Sequence, residues 1–179
     1  RTDGGTMARV IGSMLQFLSS DKSSDVFTVM TSNDISQMPP ELTRSGRLDT
    51  IWYFGLPTEE ERKEIWRIHF GKTPMCVTEE LLEYASANSE NLTGAEIKEA
   101  VKVSMRKAYK RFMQDGNRAI TEEDVLSAIG EIVPVYNASK ERIIALERYA
   151  ETRARFASEK TRQSTNAPLL NIDDLKKKK

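Results

Sequence analysis

Four threonines constrain most of what this chain can become. Thr58, Thr78, Thr93 and Thr121 each stand at the head of a run with helical apolar spacing. A threonine in that place lends its hydroxyl to the free N–H groups of a first helical turn, and an acidic residue three positions on can return the bond. Thr58 has Glu61 there, Thr93 has Glu96 and Thr121 has Asp124. Behind the caps come Ile65, Trp66 and Ile68, then Leu81 and Leu82, then Ile97, Ala100, Val101, Met105 and Ala108, and last Val125, Leu126 and Ile129. The pattern predicts four short helices between about 58 and 135, the third stopping near Asp115-Gly116 and the set closed by Pro134.

The segment ahead of these helices reads differently. Gly4-Gly5 predicts an opening loop, with Thr6 capping a helix whose face is Met7, Val10, Ile11, Met14, Leu15, Phe17 and Leu18. Val26-Phe27-Thr28-Val29-Met30 is short, apolar and β-branched, which suits a strand covered on both faces in a parallel sheet. Pro39-Pro40 predicts a turn into a short helix over Glu41 to Arg44, and Ile51 to Phe54 is the second strand candidate, closed by Gly55 and Pro57. Beyond Pro134, a final helix is expected from about Ser139 to Ser158, followed by a disordered polar tail ending in Lys176 to Lys179. The expected domains are therefore 1–57, 58–135, a C-terminal helix over 136–162 and a tail over 163–179.

Composition removes several classes of function. Lys plus Arg and Asp plus Glu both number 27, so no overall field favours nucleic acid or an anionic membrane. Arg142, Arg148, Arg153 and Arg155 with the lysine tail could form a basic stripe, but Glu141, Glu147, Glu151 and Glu159 are interleaved with them. Cys76 is the single cysteine, which rules out an internal disulfide. No apolar run reaches the ~18 residues of a membrane span.

The residues with chemical potential lie in two places. Asn33 ends the first strand candidate, where a neutral amide can donate to a phosphate oxygen or orient a water; it could equally begin a turn. Arg44 and Arg47 flank Ser45-Gly46 ahead of Leu48-Asp49; guanidinium groups suit phosphate, or the pair could be solvated, with Asp49 on one of them. His69, the only histidine, ends the first of the four helices and could simply sit against the negative end of the helix dipole. Gly94-Ala95 opens the third helix with small side chains that would let a flat ring approach, while Thr93 and Glu96 also read as an ordinary capping box.

Taken together, Thr31-Ser32-Asn33-Asp34, the Pro-Pro-Glu-Leu turn, Arg44-Ser45-Gly46-Arg47-Leu48-Asp49 and the helices after Pro57 resemble the second half of an AAA-type ATPase of the P-loop superfamily. The resemblance covers about Asp3 to Ile132, and the arginine-rich tail through Ala154-Arg155-Phe156-Ala157-Ser158 is similar to the chloroplast, cyanobacterial and phage type. It implies an α/β remnant of a P-loop NTPase, parallel-sheet strands plus a helix, followed by an all-α lid domain. It also implies that Asn33 is sensor one, that Arg44 and Arg47 are fingers acting on a neighbouring subunit, and that His69, Gly94 and Ala95 lie beside the adenine. Asp3-Gly4-Gly5-Thr6 is similar to a second pore loop, or is a frayed end, and Arg9 follows it. The implied ligand is ATP with Mg²⁺. The implied assembly is a homo-oligomeric, hexameric ring that remodels a protein partner in the cytoplasm or an organelle stroma, with no nucleic acid and no membrane.

No GxxxxGK[ST] loop and no apolar strand ending in Asp-Glu occurs in the 179 residues. The expectation is a piece that is inactive alone, whose main nucleotide ligands lie elsewhere, and whose residues 1–57 order only when complemented. The competing expectation is a helical interaction module without chemistry.

Overall fold

Trp66 shows how the four helices assemble. In the computed structural model, which describes residues 4–20, 26–33 and 49–158, its side chain is completely buried and stacked on Phe70, ring centroids 5.4 Å apart. The helix carrying both, α2 (Glu59–Phe70), turns Arg62, Trp66 and Phe70 to one side at intervals of four, the helical repeat. Burying an indole costs free energy unless its N–H is satisfied. The Trp66 Nε1–H donates to Ser89 Oγ at 3.0 Å, and Ser89 Oγ donates to the Ala85 carbonyl at 2.7 Å. Arg62 is also buried, donating from Nε to the Ser86 carbonyl and from Nη1 to the Pro57 carbonyl, each at 3.0 Å.

These bonds seat α2 against α3 (Glu79–Asn88), and α4 (Gly94–Asp115) and α5 (Glu122–Glu131) complete the layer. Their shared core holds Leu81, Leu82, Leu92, Ile97, Val101, Ile120 and Val125. All four expected threonines are the N-caps, with reciprocal capping boxes at Thr58, Thr93 and Thr121. Gly116 closes α4 at φ 74°, a left-handed turn that a Cβ would strain. Ile68, expected on the buried side of α2, is half exposed, because the inward stripe runs through positions 62, 66 and 70.

Two compact units divide the described residues. One takes those of Arg1–Tyr53 with Ala145–Arg155, and the other takes Phe54–Ile144 with those of Phe156–Lys179. In the first unit, α1 (Gly4–Leu18) begins at Gly4, so Gly4 and Gly5 form helical turn instead of loop and Thr6 lies inside the helix. Glycine costs a helix roughly 1 kcal/mol, which the following apolar residues can outweigh. Seven apolar residues were expected on its face, yet Val10 and Phe17 are exposed while Ile11, Met14, Leu15 and Leu18 are half-buried. One helical stripe accommodates i, i+3, i+4 and i+7 and no more.

Val26 to Met30 is not a strand, contrary to expectation. Phe27 is 94% exposed and Val29 73%. Backbone N–H and C=O groups stay in strand geometry only beside a neighbour, and among the described residues the sheet has two strands, both elsewhere: β1 (Trp52–Tyr53) and β2 (Arg155–Phe156). β1 lies within the expected second strand. β2 corrects the expected helix end: α6 (Val135–Arg153) stops three residues before Phe156, and the Arg155 N–H donates to the Ile51 carbonyl at 2.8 Å. At its start α6 leaves helical geometry at Ser139 (φ −126°, ψ 18°), the residue where the sequence begins the final helix.

Asp124 is the most heavily bonded carboxylate of the helical layer. It accepts from the Thr121 N–H at 2.9 Å and takes a two-pronged contact from Arg111 at 2.9 and 2.8 Å. Burial pushes its carboxyl up, but the Arg111 guanidinium and the Thr121 bonds outweigh that and hold it below the ordinary carboxylate range. A depressed folded-state pKa stabilises at pH values above the unfolded pKa and is lost as pH falls through the folded one. Asp124→Ala removes the cap and leaves Arg111 without its counter-charge. Urea unfolding at pH 7 should show a loss of about 3 kcal/mol, and the gap between wild type and variant should shrink below about pH 4.

Candidate functional site

Burying Arg62, Trp66 and Phe70 obliges α2 to present Glu61, Glu64 and Ile65 to another surface. They line an open groove of about 440 Å³. Its apolar wall continues through Phe54, Gly55 and Pro57 before the helix, and Gly94 at the first turn of α4 forms the far side. A methyl group on Gly94 would meet Ile65 Cδ1 at 3.7 Å, ordinary contact, so glycine here widens the groove by about one side chain without being forced by the backbone.

The polar groups of the groove are oxygen acceptors and a hydroxyl. Glu61 Oε2 accepts from the Thr58 N–H at 2.8 Å, and its Oε1 accepts from the Ser158 hydroxyl, which also lines the groove. Burial raises the Glu61 carboxyl, but the bonds from Ser158 and Thr58 prevail and lower it. Glu64 is paired with Arg67 outside the groove. Among the described residues no lysine or arginine lines the space, so it suits a neutral ring better than a phosphate.

Of the residues singled out from sequence, Gly94 lines the groove. Ala95 is exposed on the next position, and His69 is half-buried in the last turn of α2; neither belongs to the lining. Burial, then the charges of Lys72 and Lys98, push the His69 imidazole below its ordinary range, keeping it neutral at pH 7. Asn33 lies in an exposed bend of the first unit. Arg44 and Arg47, with Asp3 and the Pro39-Pro40 turn, lie outside the described residues. Among the described residues no group of three or more His, Cys, Asp or Glu is placed to hold a metal ion, and no helix is long and apolar enough to cross a membrane.

Sequence inspection missed the groove roles of Glu61 and Ser158. Glu61 reads as a cap alone, and Ser158 is 97 positions away. Nothing local marks Ser158 for this contact; the Ala-Arg-Phe-Ala-Ser run continues the apolar spacing of α6 up to its polar end. Glu96 carries a second hidden role: Oε2 accepts from the Thr93 N–H at 2.7 Å, and Oε1 from the Val135 N–H at 2.6 Å, joining the starts of α4 and α6.

No family model matches the chain. Individual relatives do. An uncharacterized AAA domain-containing protein ycf46 of Guillardia theta is 37% identical over 158 residues, covering 87% of this chain and 30% of that protein. A 26S proteasome regulatory subunit 4 homolog of Encephalitozoon cuniculi is 30% identical over 136 residues, covering 71% of this chain and 30% of that one. A Cell division cycle protein 48 homolog of Archaeoglobus fulgidus is 27% identical over 145 residues, 73% of this chain and 20% of its own length. The chain spans less than a third of the length of these curated relatives.

Two outcomes follow from the site. The His69 imidazole should titrate, by NMR, below the ~6.5 of a free side chain. Glu96→Ala should cost about 1–2 kcal/mol in urea unfolding, with the amide of Val135 losing exchange protection, while Glu96→Gln, able to accept both bonds, should cost less.

Proposed function

Because the chain belongs to the AAA-type ATPases, with relatives of the ycf46 kind among the proteins it is similar to, we propose that it is the C-terminal part of an ATP-hydrolysing ring ATPase that remodels a protein partner. Residues 58–135 are its helical lid, and 1–57 the end of its αβ core, followed by the arginine-bearing helix α6, which ends at Arg153. The observation that carries this reading is the groove between the first turns of α2 and α4. It is apolar on Phe54, Pro57 and Ile65, opened by Gly94 and, among the described residues, lined by no lysine or arginine. Those features suit the base end of a nucleotide whose phosphates are held by residues beyond this chain, with Ala95 and the neutral His69 on the flanks.

The remaining roles rest on phosphoryl-transfer chemistry. A transferring γ-phosphoryl group spreads charge over its oxygens, and catalysis consists of placing donors and an in-line water around it. Asn33 is the neutral donor of the same subunit. Arg44 and Arg47 reach the nucleotide of the next subunit, so turnover requires a homo-oligomeric ring, here taken as a hexamer. ATP with Mg²⁺ supplies the scissile bond, and the cytoplasm or an organelle stroma is the compartment. By itself the chain binds nucleotide weakly and does not hydrolyse it. A helical interaction module without chemistry is the second reading, favoured by the exposure of Phe27, Val29 and Phe54.

Titration of the ¹⁵N-labelled chain with ADP tests the base seat. Amides of Ile65 and Gly94 should shift in the millimolar range, with little change at Met105 and Tyr109, which line a separate groove. No shift, or shifts confined to that other groove, would favour the interaction module. In the complete protein, Arg44→Ala or Arg47→Ala should lower ATP turnover by about 10³-fold while leaving ATP binding intact.

A further inference from the structure

Two carboxylates line the groove, and the position of one, Glu61, has a chemical consequence. Glu61 is the third residue of α2 and is held at both oxygens, by the Thr58 N–H at 2.8 Å and by the Ser158 hydroxyl. A carboxylate restrained in this way is pre-organised: its orientation is set before any ligand arrives. Each oxygen has two lone-pair directions, so after these bonds Oε1 keeps capacity to accept from a molecule in the groove. Glu64, the other acid of the lining, is engaged by Arg67, which also pairs with Glu79.

We propose that Glu61 is a specificity-determining residue of the groove, accepting a hydrogen bond from the exocyclic amino group of an adenine, and that Ser158 is the positioning residue that aims its carboxylate. This rests on the groove being the base seat. The discrimination is one of donor against acceptor. Adenine offers an N–H at its sixth position; hypoxanthine offers a carbonyl oxygen there and carries a hydrogen on the neighbouring N1. Facing an ionised carboxylate, the first makes a charge-assisted bond and the second is repelled. Ser158, which follows β2, is then part of the binding site, its hydroxyl reaching the acid.

Adenosine and inosine, which lack phosphates, are the probes, titrated into the full ¹⁵N-labelled chain while Ile65 and Gly94 are followed. Wild type should bind adenosine about tenfold more tightly than inosine. Glu61→Gln keeps the cap, since glutamine also serves at the third helical position, and can face either base; its ratio should fall to about one. Ser158→Ala should lower the ratio by about threefold without abolishing adenosine binding, and Ser158→Thr, which restores the hydroxyl, should recover it. A merely structural serine would move both affinities together and leave the ratio alone. Equal shifts by both nucleosides in wild type, or an unchanged ratio in Glu61→Gln, would overturn the assignment while leaving the base seat intact. Shifts at Ile65 and Gly94 by neither nucleoside would remove the base seat and this assignment with it.

Discussion

The indole of Trp66 sets the phase of everything around the groove. With Trp66 fully buried and its N–H on Ser89, α2 has one rotational setting about its axis. Arg62, one turn earlier, fixes the same setting through the Ser86 and Pro57 carbonyls. A helix with 3.6 residues per turn then has no choice about Glu61, Glu64 and Ile65. They stand roughly a quarter- to a half-turn away from the buried stripe and border the space beside Gly94. A buried arginine usually signals function, but Arg62 spends both its bonds on backbone carbonyls, which makes it a brace.

A second regularity concerns the capping carboxylates. Glu61, Glu96 and Asp124 each occupy the third helical position and close a box with the preceding threonine. Each then binds a group distant in sequence: Ser158 for Glu61, the Val135 N–H for Glu96, Arg111 for Asp124. A carboxylate has more acceptor sites than a cap consumes, so a local helix signal becomes a tertiary cross-link at no cost in extra residues. In all three, desolvation is overcome by hydrogen bonds and the acid is held below its ordinary range. The charged forms are therefore integral to the helical layer, and acid weakens it at three points together.

The first unit has a different character. Its extended residues 26–33 carry exposed Val26, Phe27 and Val29, and Asn33 stands at their end. In the relatives the aligned region occupies less than a third of the polypeptide. Among the described residues no strand pairs with this apolar, β-branched run, so it keeps both faces open.

Local signals alone specify the four capped helices, the stop at Gly116 and the AAA family. Caps, periodicity and glycine act within a few residues, and so they are legible in order along the chain. The position of Gly94 beside Ile65 was half legible, since a small residue at a helix start indicates room but not what faces it. It took the folded chain to show that Val26 to Met30 pairs with no strand among the described residues, that the final helix yields at Arg153 to a strand, and that Ser158 closes on Glu61. Those are pairings between distant segments, set by which backbone groups and side chains find complements in space, and no local pattern of residues encodes them.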